Sequence, residues 1–214
     1  MSTVRTWSTT LVMVALSACA CSADRAANGP PVDVDANVPS KTVLALGGRE
    51  SAGDGLGDRL RDAWPYRVFD ALPRPTVFVN GARDDATVAH ALAEQVPLAR
   101  ELRPDIVEVW LGADDVAART PIRAFTSDFA RLLGELRAAG ARRILVGDLP
   151  AAYGERTARY NKAIHRLVRD AGAELVALAR ARIDLGSPRG DRLPDAASQR
   201  VIADAFAAAI KSRP

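Results

Sequence analysis

From residue 41 onward, apolar positions follow two alternating periods. Short unbroken aliphatic and β-branched runs at 42–46, 76–80, 105–111, 144–146 and 174–178 predict strands covered on both faces. The segments between them repeat every three or four residues, which predicts helices. Residues 60–72 place Trp64, Val68, Phe69 and Leu72 on one face, with Pro65 at a first turn or bend. Residues 87–102 bury Val88, Leu92 and Val96, and Pro97 kinks that helix. A long helix starts at Pro121, buries Phe125, Phe129, Leu132, Leu133 and Leu136, and ends at Gly140. Another, 157–171, buries Tyr160, Ile164, Leu167 and Val168. After an irregular stretch, 182–194, the last helix is expected to bury Val201, Ile202, Ala205, Phe206, Ala209 and Ile210. Strands alternating with helices need right-handed crossovers and a parallel sheet. The expected fold is a three-layer α/β/α sandwich around five parallel strands.

The first forty residues follow neither period. Arg5 precedes the apolar run Leu11-Val12-Met13-Val14-Ala15-Leu16 and then small residues, the order of an export signal. The run is too short for a permanent membrane span. Leu16-Ser17-Ala18-Cys19 resembles the bacterial lipobox, so residues 1–18 are expected to be a lipoprotein signal peptide and Cys19 the lipidated first residue of the mature chain. Residues 19–40, polar and without a helical period, are expected to be a flexible tether, leaving 41–214 as the folded domain on the outer face of a bacterial membrane. If Cys19 carries no lipid, the product is secreted.

Composition narrows the chemistry. The only cysteines are Cys19 and Cys21, so the domain has no disulfide, thiolate nucleophile or thiolate zinc site. With 29 basic and 26 acidic residues interspersed, net charge is only +3, and nucleic acid is not an expected partner. The chain is expected to act as a monomer.

Candidate chemistry gathers where strands end, the edge at which open α/β sheets bind ligands. The first strand runs into the turn Gly47-Gly48-Arg49-Glu50-Ser51-Ala52-Gly53-Asp54-Gly55. Later strand ends and loops add Asn80, Arg83, Asp84, Asp85, Asp114, Asp115, Asp148, Asp184, Arg189, Asp191 and Arg192. His90 is placed on the solvated side of its helix, four residues before Glu94, and His165 on the surface beside Lys162 and Arg166. The glycine spacing fits neither a dinucleotide turn nor a P-loop. The spacing of Asp54, Asp85, Asp114 and Asp115 fits no calcium loop, so no metal and no cofactor is expected.

Ala45 to Gly55, 80–87, 104–116 and 190–203 are similar to four conserved blocks of the SGNH hydrolases, the GDSL-type esterases and lipases. The resemblance implies a flavodoxin-like α/β/α fold over roughly 41–210 and, in an intact member, ester hydrolysis. The family's serine nucleophile falls at Arg49, its oxyanion-hole glycine at Asp85, its oxyanion-hole asparagine at Asp114 and its histidine at Leu193. The aspartate that pairs with the histidine falls at Gly190, one residue from Asp191.

Those replacements change what the edge can do. A guanidinium has no lone pair for attack, leucine accepts no proton, and an ionised aspartate repels a developing oxyanion. Ser51, two residues late, is the remaining weak candidate nucleophile and needs an adjacent base. Arg49 is expected to pair with Asp114 or Asp85. The expected role is an inactive hydrolase-like domain that binds a cell-wall glycan or a protein partner through Arg49, Glu50, Ser51, Asp85, Asp114, Asp115 and Asp191. An active esterase, lipase or carbohydrate deacetylase with relocated residues is the alternative.

Overall fold

The computed structural model describes residues 40–73, 75–186 and 193–212. The leader, Cys19, most of the tether, Arg189, Gly190, Asp191 and Arg192 lie outside the described residues. Val38–Pro214 forms a compact unit.

Its elements run β1 (Lys41–Gly47), α1 (Arg49–Ala52), α2 (Arg59–Asp62), α3 (Trp64–Asp70), β2 (Thr76–Asn80), α4 (Val88–Glu94), α5 (Val96–Leu102), β3 (Ile106–Trp110), α6 (Ala113–Ala118), α7 (Ile122–Ala138), β4 (Arg143–Gly147), α8 (Thr157–Asp170), β5 (Glu174–Val176) and α9 (Ala196–Lys211). The five strands are all parallel, in the order β2-β1-β3-β4-β5. This is the expected α/β/α sandwich. One layer holds α3 against α9; the other holds α4 and α5 against α7, and α7 against α8. No helix among the described residues is long and apolar enough to cross a membrane.

The differences from the sequence reading have local causes. The helix expected over 60–72 breaks at Ala63, whose extended backbone lets Pro65 enter the first turn of α3. The helix over 87–102 divides at Gln95, with Pro97 in the first turn of its second half. α6 and a 3-10 turn at Ala151–Tyr153 are short elements that the apolar periods do not predict. Val201 is exposed, because α9 meets the core through Ile202, Ala203, Phe206, Ala207 and Ile210.

Buried polar side chains pin the loops at the strands' carboxyl edge. Gln95 Nε2 donates to the Gly47 carbonyl at 2.9 Å, while its Oε1 accepts from the Gly47 N–H at 3.1 Å. Gln199 accepts from the Trp64 N–H and donates to the Glu50 carbonyl, each at 2.9 Å, fastening α9 to the first turn. Asn161 grips both backbone groups of Leu149. Buried polar groups satisfied in this way fix one loop arrangement, since breaking a pair leaves an orphan inside.

Candidate functional site

The turn after β1 is shaped by two glycines. A Cβ on Gly47 would overlap the Ser51 hydroxyl. Ser51 therefore points down into the protein: it has no exposed surface, and its hydroxyl accepts a hydrogen bond from Trp64 Nε1 at 3.1 Å. A Cβ on Gly48 would stand 2.6 Å from Asp114 Oδ2 and 3.1 Å from Glu50 Oε2, so two carboxyl groups close on the space that glycine leaves open.

Arg49 begins α1 and faces a cavity of about 830 Å³, which Glu50, Asp114, Arg119, Tyr153 and Leu193 also line. Among the described residues its ion-pair partner is Asp54, Nε to Oδ2 at 3.3 Å, and not Asp114 or Asp85 as expected. Asp54 also holds Arg59 at 2.8 Å. The local i, i+5 pairing wins because the tight turn folds Asp54 back beneath α1, with its N–H on the Arg49 carbonyl at 3.0 Å.

The cleft carboxyls resist ionisation. Burial, then the neighbouring Asp114 charge, pushes Glu50 up to about 7, although its Oε1 accepts from the Tyr153 hydroxyl at 2.8 Å. Burial, then the charges of Asp85 and Asp115, raises Asp114 to about 6, with Arg49 and His90 acting in the opposite sense. Near neutral pH the cleft thus carries protonatable acids beside arginines.

The other expected site residues separate into two groups. Asp115 is buried, and its carboxylate accepts from the Val88 N–H at 2.9 Å, so it fastens α4 and faces no ligand. Ser51 is likewise internal. Asp85 is exposed and holds a left-handed backbone, φ 52°. Asn80 donates to the Ser51 carbonyl at 2.9 Å and is a strut. Leu193 lines the cleft where the resemblance puts a histidine. No three of the described acids and histidines converge as a metal site.

Both histidines are exposed, as expected, and each makes a contact that the sequence does not announce. His90 Nδ1 lies 3.1 Å from the Asp85 carbonyl; a carbonyl only accepts, so that nitrogen carries the proton. His165 Nε2 lies 2.8 Å from Asp148 Oδ2, and the other Asp148 oxygen accepts from the Leu178 and Ala179 N–H groups at 2.6 Å. Neither imidazole touches Ser51. Tyr153 was missed altogether, although it follows the β4 end, where the sheet delivers its loops.

Residues 45–201 match the model of the GDSL-like Lipase/Acylhydrolase family. The chain belongs to this family. An arylesterase of Vibrio mimicus is 28% identical over 125 residues, covering 56% of this chain and 62% of that protein, less than two thirds of its length. The crystal structure of TesA superposes with a TM-score of 0.70 at 22% identity, over 80% of this chain and 99% of that one. The esterase EstA from Pseudoalteromonas sp., inhibited by monoethylphosphonate, gives 0.68 at 24% identity, over 81% and 98%. An acetylxylan esterase from Geobacillus stearothermophilus gives 0.63 at 15% identity, over 78% and 92%. This GDSL-like chain thus shares the fold of those enzymes while carrying Arg49, Asp85, Asp114 and Leu193 at the positions named above.

Proposed function

We propose that this GDSL-like protein does not hydrolyse esters and uses the Arg49 cleft to bind a glycan or a protein partner at the bacterial envelope, held there by lipid on Cys19. The observation that carries this reading is the fate of the hydroxyls. Ser51 is enclosed under Trp64, and the cleft's described lining offers no hydroxyl except the Tyr153 phenol. Without a nucleophile beside a base, acyl transfer has no first step.

The cleft suits a polar ligand. Its walls set Arg49, Arg119, Arg156 and Arg159 against Glu50, Asp114 and Glu155, around one aromatic ring, Tyr153. Such groups hydrogen-bond sugar hydroxyls and stack a sugar face better than they shelter an acyl chain. The similarity to esterases favours the second reading, an ester hydrolase with relocated groups.

Short-chain nitrophenyl esters separate the two. The expected result is a rate no higher than that of boiled protein; a rate lost on Arg49→Ala or Tyr153→Phe but kept by Ser51→Ala would overturn inactivity. Isothermal titration with soluble cell-wall fragments is expected to give heat that Arg49→Ala abolishes, and no heat would overturn the glycan version.

A further inference from the structure

α8 has two unlike sides. Tyr160, Ile164, Leu167 and Val168 enter the core, while Arg159, Lys162, Arg166 and Arg169 recur outward at steps of three and four. With α7 this outer side makes a groove of about 950 Å³, to which Arg123 adds a fifth cation. No Asp or Glu is among its lining residues. Five cations on one face, with no acid in the lining between them, are notable in a chain whose whole net charge is +3.

Neighbouring acids leave four of the five without an ion pair among the described residues: Arg123, Arg159, Lys162 and Arg166 have none, and Arg169 reaches Asp170 at 3.4 Å. Asp148 lies beneath His165 but is 3% exposed and spends its other oxygen on backbone N–H groups. Glu155, Asp128 and Asp170 flank the groove without lining it.

We propose that the α7–α8 face docks onto a lipid bilayer bearing anionic headgroups. Charge complementarity is the first reason: a row of Arg and Lys over one face is attracted to a negative surface without needing a shaped pocket. The second is the groove floor, where Ile122, Ala158 and Ala163 lie among the aliphatic stems of the cations, an arrangement that rests on the boundary between headgroup and acyl chain. A single-stranded nucleic acid would instead ask for stacking rings, and the groove has no Phe, Tyr or Trp. Arg159 borders this groove and the Arg49 cleft, so docking sets the mouth of the cleft beside the membrane surface.

The test uses residues 38–214, a compact unit that contains the whole described core, so neither leader nor lipid contributes. Co-sedimentation with phosphatidylcholine vesicles is compared with vesicles that also contain phosphatidylglycerol. Partition onto the anionic vesicles is expected to be at least about tenfold stronger and to vanish when salt rises to about 0.5 M. Lys162→Glu, Arg166→Glu and Arg169→Glu together are expected to remove about tenfold or more of that binding. Arg200→Glu with Lys211→Glu, on α9 in the opposite layer, is expected to keep it.

Equal partition onto both kinds of vesicle would overturn the proposal. So would a triple variant that melts like the parent and still binds. If the triple variant does not fold, Lys162→Glu alone and the salt series on the parent decide, and salt-insensitive binding overturns the proposal. Capture of soluble polyphosphate without capture of vesicles would also overturn it.

Discussion

The Trp64 indole N–H donates to the Ser51 hydroxyl across 3.1 Å, and the pair lies wholly inside the protein. A hydroxyl held this way is a packing element that receives an otherwise orphaned donor. Ser51→Ala is expected to leave any measured ester turnover unchanged and to lower stability by about 1–3 kcal/mol, the cost of a buried indole N–H without a partner. Thermal melting and an ester assay on the same preparation check both halves; lost turnover at unchanged stability would mean the hydroxyl reaches substrate.

The same pair makes Gly47 indispensable for a reason other than backbone freedom. Gly47→Ala drives a methyl group into the Ser51 side chain and is expected to cost about 1–3 kcal/mol. Ser51→Gly in the Gly47→Ala background removes the obstruction and is expected to recover part of that loss. Denaturant unfolding of the four chains in a double-mutant cycle reads the coupling, which would be zero if the two side chains did not compete for one space.

Two substitutions move the cleft acids in known directions. Arg49 favours the ionised form of Asp114, so Arg49→Met is expected to raise Asp114 further above about 6. Tyr153 donates to Glu50 and favours its anion, so Tyr153→Phe is expected to raise Glu50 above about 7. Carboxyl carbon shifts followed by NMR over pH 4 to about 9 report each group separately. A downward shift in either variant would contradict the geometry of the cleft.

How far the sequence foretells this molecule depends on whether a residue's neighbours are near in the chain. β1 is legible because Val43, Leu44, Ala45 and Leu46 are all fully buried, which only a strand covered on both faces requires. α6 escapes because just Asp115 and Val116 of its six residues are buried, too few to set a period. Val201 and Ile202 are equally apolar, and which of them faces inward is decided by what α9 packs against. Within the site, residue types at 49, 85, 114 and 193 are visible in the sequence, but the inward turn of Ser51 depends on Trp64, thirteen residues away. The His165–Asp148 contact joins a helix face to a strand end seventeen residues apart, and no local pattern announces it.

Glu108 makes the last prediction, because it breaks the apolar pattern of β3 without serving the cleft. It is fully buried on the strand face it shares with Trp110, and neither of its carboxyl oxygens has a hydrogen-bond partner. Burial pushes it up to about 8, and Glu50 up to about 7, from 4.5. A folded state that holds these protons more tightly than the unfolded chain has its full advantage below about pH 4.5 and loses it as pH climbs through about 7 and then 8. The melting temperature is therefore expected to fall between pH 6 and about 9, opposite to the trend of a carboxylate stabilised by an ion pair. Glu108→Leu removes the ionisable group at similar volume; it is expected to flatten that slope and to add about 1–4 kcal/mol at pH 9. Melting curves of both chains across the range check it: if Glu108→Leu lowers stability at pH 9, the buried carboxyl has a partner that holds its charge.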